Sequence, residues 1–283
     1  MPPSEIRPGE LVRLAASIRR LTAFNAGTMT GPGTNTWILG EDEVAVLDPG
    51  PASREHIENI RNKAPGEVRW ILVTHTHPDH SPGAAILAEL TGASLIGPPP
   101  PPGERQDQSF SPAVQPKDGQ EFDLGGFSLT AVHTPGHASN HVCWWHPPQG
   151  VLFTGDHIMQ GSTVVIAPPD GDMSAYMASL GRLLDLPLRA MAPGHGHWID
   201  RPREEIRELI AHRERRESKV VWAMDALGPA TLEAILTRVY DDVPGRLHPV
   251  AALSLEAHLL KLERDGLVVS ESGSWRLAAG AAP

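Results

Sequence analysis

The sequence predicts an α/β chain of mixed strands and helices with a helical tail. Three observations predict it. Apolar runs of strand length alternate with helical patterns and Gly/Pro loops from Thr34 to Ala192. The texture changes at Pro202 to amphipathic helices, and a length of 283 residues suits a large core with a small appended one. With 40% hydrophobic and 20% charged residues, neither a disordered tail protein nor a membrane bundle fits.

Taken in order, Thr34 to Leu47 alternates as a hairpin and stops at the turn Asp48-Pro49-Gly50. A helix follows from Ser53 to Lys63. The apolar strand Arg69 to Thr74 empties into His75-Thr76-His77-Pro78-Asp79-His80, so those histidines lie in a loop at a strand's end. Pro82 opens a short helix, Ala84 to Leu90, with Gly92 just past its end. The five prolines from Pro98 to Pro102 predict a stiff polyproline connector. Phe122 to His133 is a hairpin about Gly125-Gly126 and delivers the chain to Thr134-Pro135-Gly136-His137. Val142 to Trp145 and Val151 to Thr154 flank a Pro/Gly turn, and the second strand ends at Gly155-Asp156. Arg189 to Ala192 then ends at Pro193-Gly194-His195.

A long helix is predicted from Pro202 to Trp222, with Glu204 and Glu205 in its first turn and Ile206, Leu209 and Ile210 as its apolar stripe. Helices at Thr231 to Tyr240 and Ser254 to Asp265 and a hairpin from Leu267 to Leu277 complete a winged-helix pattern, and residues 278–283 are expected to fray. The expected domains are 1–212 and 213–283, the second winged-helix-like.

Composition narrows the chemistry. Lys+Arg 24 against Asp+Glu 34 leaves a net charge of −10, which disfavours a generic polyanion binder or membrane-surface protein. The single Cys143 excludes an intramolecular disulfide and a cysteine-based zinc cluster, and in its strand it reads as a buried small residue. Met1-Pro2-Pro3-Ser4-Glu5 has no basic region followed by an apolar run, and no stretch is long enough to span a membrane, so a cytoplasmic location is expected. Fourteen histidines against 2 Tyr and 5 Phe point to metal ligation.

Zinc takes imidazole and carboxylate, and a catalytic ion keeps a position open for water. The i, i+2 spacing of His75 and His77 sends both imidazoles to one side of an extended segment. Asp79 and His80, past a proline bend, can face a second ion. His137, Asp156 and His195 sit at further strand ends, where α/β folds keep their chemistry. A lone His-x-His is a weak signal; the full His-x-His-x-Asp-His string after an apolar strand is a specific one. His133 reads as the end of a strand. His141, His146, His157 and His197 read first as supporting or hydrogen-bonded loop residues, and His212, His248 and His258 as unrelated tail residues.

This string, with the Thr134–His137 loop, Gly155-Asp156 and Pro193-Gly194-His195, resembles the metallo-β-lactamase superfamily in type, order and spacing. With the tail and the phrases Asp242-Val243-Pro244 and Leu247-His248-Pro249, the chain is similar to the β-lactamase-like protein 2 group. The resemblance implies a four-layer αβ/βα sandwich with a small C-terminal winged-helix-like domain. It also implies one zinc held by His75, His77 and His137, and a second held by Asp79, His80 and His195 with Asp156 bridging; iron and manganese are alternative metals.

The expected function is a dinuclear-zinc hydrolase using metal-bound hydroxide on an ester-like carbonyl substrate, a small or carrier-bound ester, thioester or lactone. Asp79 is the catalytic candidate that orients the attacking group. Two divalent cations, two carboxylates and one hydroxide leave a local positive charge, so the overall −10 does not veto a phosphate substrate. Single-stranded RNA cleavage at the same site is the alternative, and a mononuclear iron persulfide dioxygenase or a non-catalytic metal module are lesser ones. No Lys or Arg lies between His137 and Asp156, which disfavours glutathione thioesters. The 39 positions from Asp156 to His195 leave no room for the large insert of RNA-processing members. Residues 213–283 carry nine Lys/Arg against ten Asp/Glu, so the tail reads first as a lid, dimer or packing element and only second as a nucleic-acid binder.

Overall fold

The computed structural model describes residues 5–281. Two compact units are present. The described residues up to Thr134, with Asn140–Val164 and Leu184–Arg203, form the first; Pro135–Ser139, Val165–Leu183 and the described residues from Glu204 onward form the second.

The first unit is built on two sheets. One comprises β1 (Leu11–Ala15), β2 (Ile18–Thr22), β3 (Asn35–Gly40), β4 (Glu43–Leu47), β5 (Glu67–Leu72) and β6 (Ser94–Ile96), in that order across the sheet. β1 to β4 are antiparallel neighbours, and β4, β5 and β6 run parallel. The other contains β7 (Glu121–Leu124), β8 (Phe127–His133), β9 (Val142–His146), β10 (Val151–Gly155) and β11 (Ala190–Pro193), in the spatial order β11-β10-β9-β8-β7, with only β10 and β11 parallel.

Period-two patterning explains the layering. β3 and β4 are covered on both faces. Trp37, Leu39, Ala45 and Leu47 enter the core between the sheets, where they meet Leu129, Trp144 and Phe153. Ile38, Val44 and Val46 face the other way, onto Ile57 and Ile60 of α1 (Arg54–Lys63) and Ala84 and Leu87 of α2 (Gly83–Thr91). Ser53 caps α1 by accepting from the His56 amide, and Gly92 ends α2 in the left-handed region.

The sequence predicts no strand before Thr34 and no helix between Asp156 and Arg189; the structure has β1 and β2 in the first stretch and α3 (Met173–Leu183) in the second. β2, Ile-Arg-Arg-Leu-Thr, is wholly buried, and its arginines hide the strand pattern. Arg19 nevertheless finds partners there, donating to the Gly40 carbonyl at 2.9 Å and pairing with Glu41. Asp172 opens α3 by accepting from the Ala175 amide at 3.0 Å. The proline run is no free strut, for Pro98 is buried and the Pro99 and Pro101 carbonyls accept from Asn140 and Gln108.

In the second unit, α4 (Pro202–Leu227) runs five residues beyond the expected end at Trp222, and the expected domain boundary at 212/213 falls inside this helix. α5 (Leu232–Val239) is capped by Thr231. α6 (His248–Arg264) starts six residues before the predicted Ser254, because Pro249 sits in its first turn, where a missing N–H costs nothing. β12 (Val268–Glu271) and β13 (Ser274–Leu277) form the wing. Val220, Met224, Ile235, Leu255, Leu259 and Val268 share its core. Within the expected frayed end, the Ala278 amide donates to Leu267 at 2.9 Å, and residues 282–283 lie outside the described residues. No helix among the described residues is long and apolar enough to cross a membrane.

Candidate metal centre

Parallel strands release their loops at one rim, and that topology gathers the site. Asp48 follows β4 and His75 follows β5 in one sheet; Asp156 follows β10 and His195 follows β11 in the other. The rim is stitched across the sheets, since the Val142 amide donates to the Thr74 carbonyl at 2.8 Å and the Trp144 indole to Val73 at 3.1 Å.

His75 is fully buried. The Thr74 hydroxyl donates its single proton to Asp48 Oδ2 at 2.8 Å, so it accepts from His75 Nδ1 at 3.0 Å. That fixes the tautomer and turns His75 Nε2 to His77 Nδ1, 2.9 Å away. Burial, with the neighbouring His80, His77 and His141, holds His75 well below the usual imidazole range, so it is a neutral donor at pH 7.

The donor atoms of Asp79, His80 and His195 lie within 4.8 Å of one another, as do those of His75, His80 and Asp156. Asp156 Oδ1 is 3.3 Å from both His80 Nε2 and His195 Nε2. Asp79 Oδ2 is 3.4 Å from the former and 3.2 Å from the latter. His80 Nδ1 faces Asp48 Oδ2 at 3.0 Å, and His195 Nδ1 donates to the Gly33 carbonyl at 3.2 Å, so both rings present Nε2 inward. Gly194 makes the approach feasible: a Cβ there would stand 2.7 Å from Asp156 Oδ1 and 2.8 Å from His80 Cε1. Gly155, at φ +46°, serves the adjoining turn, where a Cβ would meet Thr74 Oγ1 at 2.5 Å.

With the protein's own groups alone, burial lowers the His195 pKa, but Asp156 and Asp79 outweigh it and raise it to about 10. Burial acts against ionised Asp79, yet the His80 charge and the His195 hydrogen bond bring it down to about 2. Burial likewise opposes a charged His80, and Asp79, Asp156 and Asp48 carry it above its usual range. Two ionised carboxylates thus keep protons on His80 and His195 that a divalent cation would displace. The fit to a metal rests on His80 Nε2, which is buried between two carboxylate oxygens without hydrogen-bond geometry to either. Imidazole nitrogen and carboxylate oxygen are the donor set zinc takes.

His137 lies on the loop between β8 and β9, whose ends are joined by the Thr134 amide donating to His141 at 2.9 Å. Its Nδ1 pairs with the Val165 carbonyl at 2.7 Å. His141, read from sequence as a supporting residue, places its ring 5.0 Å from that of His75 and bonds Thr134 at 2.9 Å. His133 and His146 lie in strands, and Cys143 is buried, its thiol pushed up to about 12 by burial.

Sequence reasoning missed Asp48, taken as a turn residue. It is buried at φ +50°, accepts from the Thr74 amide at 2.7 Å and orients His80. Its place after a strand, like that of His75 and Asp156, was the available signal; Asp-Pro-Gly obscured it because the same tripeptide makes an ordinary turn.

At the strand ends of two packed sheets, histidines and aspartates bring their donor atoms within 4.8 Å of one another, a set that could hold a metal ion, and with the family match that follows they mark a metal-dependent hydrolase. The chain belongs to the metallo-beta-lactamase superfamily, whose family model matches residues 29–195, and a beta-lactamase associated winged helix domain matches residues 231–275. It is 32% identical to the beta-lactamase-like protein 2 homolog of Drosophila melanogaster, over 93% of each chain. It is 31% identical to a protein of Aspergillus fumigatus named atrochrysone carboxyl ACP thioesterase, over 89% of this chain and 82% of that one. The crystal structure of a beta-lactamase domain protein from Burkholderia ambifaria superposes with a TM-score of 0.83 at 21% identity, covering 98% and 96% of the two chains, a likeness of fold.

Proposed function

We propose that the rim binds two zinc ions and hydrolyses an ester-like carbonyl substrate, with an acyl thioester as the first candidate and simple esters and lactones in the same class. His75, His77 and His137 would hold one ion, and Asp79, His80 and His195 the other, with Asp156 between them. The observation that carries the two-ion reading is that two overlapping donor groups, Asp79 with His80 and His195 and beside it His75 with His80 and Asp156, each bring their donor atoms within 4.8 Å of one another, five side chains where one tetrahedral zinc takes four donors. When bound, zinc supplies Lewis acidity toward the substrate oxygen and acidifies water to a pKa of about 7.

The chain's own residues do the rest. Asp48 and Thr74 hold the rings of His80 and His75 by their Nδ1 atoms, so the opposite nitrogens cannot turn away. Asp79, at about 2, stays ionised at neutral pH and accepts a hydrogen bond from the attacking water, orienting it. A thiolate, whose conjugate acid has a pKa of roughly 8.5, leaves without a proton donor more readily than an alkoxide does, which makes a thioester the first candidate. The name of the Aspergillus relative points the same way.

The test is a substrate panel of acyl thioesters, aryl esters, lactones and labelled single-stranded RNA, with zinc-loaded and chelator-treated protein. Thioester turnover that disappears with chelator and returns with zinc, beside intact RNA, is expected. RNA cleavage without carbonyl hydrolysis would replace the substrate class, and one iron per chain by elemental analysis would remove the two-zinc mechanism.

A further inference from the structure

At the entry to β3, Gly33, Thr34 and Asn35 touch both loops that carry the Asp79, His80 and His195 set. The Thr34 hydroxyl lies 3.2 Å from Asp79 Oδ2. Asn25 Nδ2 donates to that hydroxyl at 2.9 Å while Asn25 Oδ1 accepts from the Thr34 amide at 2.9 Å. A hydroxyl has one proton, so with its oxygen already accepting from Asn25, Thr34 directs that proton to Asp79. Thr34 also forms a β-bridge with His195, whose ring donates to Gly33.

Asn35 grips the same loop from below. It is fully buried, and its Nδ2 donates to the carbonyls of Pro193 at 3.0 Å and Gly196 at 2.9 Å, while its amide donates to Gly194 at 2.7 Å. The Thr22 hydroxyl donates to Asn35 Oδ1 at 2.8 Å, which fixes the orientation of the side-chain amide. Three backbone carbonyls around His195 are thereby tied to one residue that begins a central strand.

We infer that Thr34 and Asn35 are positioning residues for metal binding by Asp79 and His195, a clamp that sets the distance between the two loops. The inference rests on the two-ion reading above. Asn35 fixes where the His195 loop stands; Thr34 fixes which way Asp79 faces. Removing a partner that orients a ligand lowers metal affinity by about 10–100-fold in comparable sites.

The test titrates metal-free full-length protein with zinc against a chromophoric chelator, comparing wild type with Thr34→Val, Thr34→Ser and Asn35→Asp, each checked by circular dichroism. Thr34→Val keeps shape without the hydroxyl, and Asn35→Asp turns a donor toward two carbonyls into an acceptor. Two zincs in wild type, one of them weakened at least about tenfold by Thr34→Val and restored by Thr34→Ser, is the expected result. Equal affinities in Thr34→Val and wild type, or the same weakening of both ions, overturns the clamp, because a merely structural role would not single out one ion. A wild-type chain taking one zinc overturns the two-ion reading instead, and the loss or retention of that ion in Thr34→Val then decides the clamp. If Asn35→Asp fails to fold, the threonine pair decides alone.

Discussion

The two halves of the histidine string are held in different ways. His75 and His77 share an extended stretch, their facing nitrogens are 2.9 Å apart, and the adjacent Thr74 orients the first ring. Asp79 and His80 depend on distant groups: Thr34, 45 positions away, for the carboxylate, and Asp48, 32 positions away, for the imidazole. His195 and Asp156 reach the same atoms from the other sheet. Local geometry can preset the spacing of the first two rings, whereas the second half exists only when both sheets are assembled. It is therefore the half that substitutions far from the string should damage.

The largest break expected is Asp156→Ala, which removes the oxygen facing both His80 and His195. Metal content and turnover should fall together, turnover by on the order of a thousandfold, because several kcal/mol of transition-state stabilisation is lost. Elemental analysis and chelator-sensitive turnover check it beside His77→Ala, which should also lose both while circular dichroism stays native. Normal metal and normal rate in either variant would remove that residue from the site.

Asp48→Asn comes next. It keeps a residue tolerant of positive φ but takes the charge from His80 and an acceptor from Thr74. Zinc affinity should drop about 10–100-fold, more at the His80 ion than at the His75 ion. A larger loss at His75 would reverse the comparison between the halves.

Gly194→Ala should cost about 1–3 kcal/mol by overpacking, since its Cβ would press on Asp156 and His80. Denaturant unfolding of metal-free protein measures it. An unchanged midpoint would mean that the rim yields more easily than the close approach implies.

A pH dependence is expected as well. The His195 pKa is raised from 6.5 to about 10 in the folded metal-free chain. Its contribution to stability is full below 6.5 and disappears as the pH rises through about 10. The gap in Tm between metal-free wild type and His195→Gln should therefore narrow across that range. A gap that widened toward alkaline pH would contradict the carboxylate pairing.

Much of the candidate site was legible because its candidate donors cluster at strand ends and strand ends can be read from apolar runs that stop at polar loops. His75, His77, Asp79 and His80 follow β5 directly, and Asp156 and His195 follow β10 and β11 by the same rule. Asp48 obeys it as well but was hidden by a turn signal. Thr34 and Asn35 carried no signal, because a threonine and an asparagine at the start of a strand are ordinary. β2 was missed for a related reason: two buried arginines contradict the apolar pattern until Glu41 and Gly40 are seen to meet one of them.

By itself the sequence determined the α/β class, the winged-helix tail and the side chains able to hold a metal, since periodicity and donor chemistry are properties of neighbouring residues. Tertiary structure alone decided which groups orient those donors and that Asp156 meets His80 and His195 at equal distances. Such distances are set by how two sheets pack and where Gly194 lets their loops approach, and no local pattern encodes a separation between residues 76 and 39 positions apart in the chain.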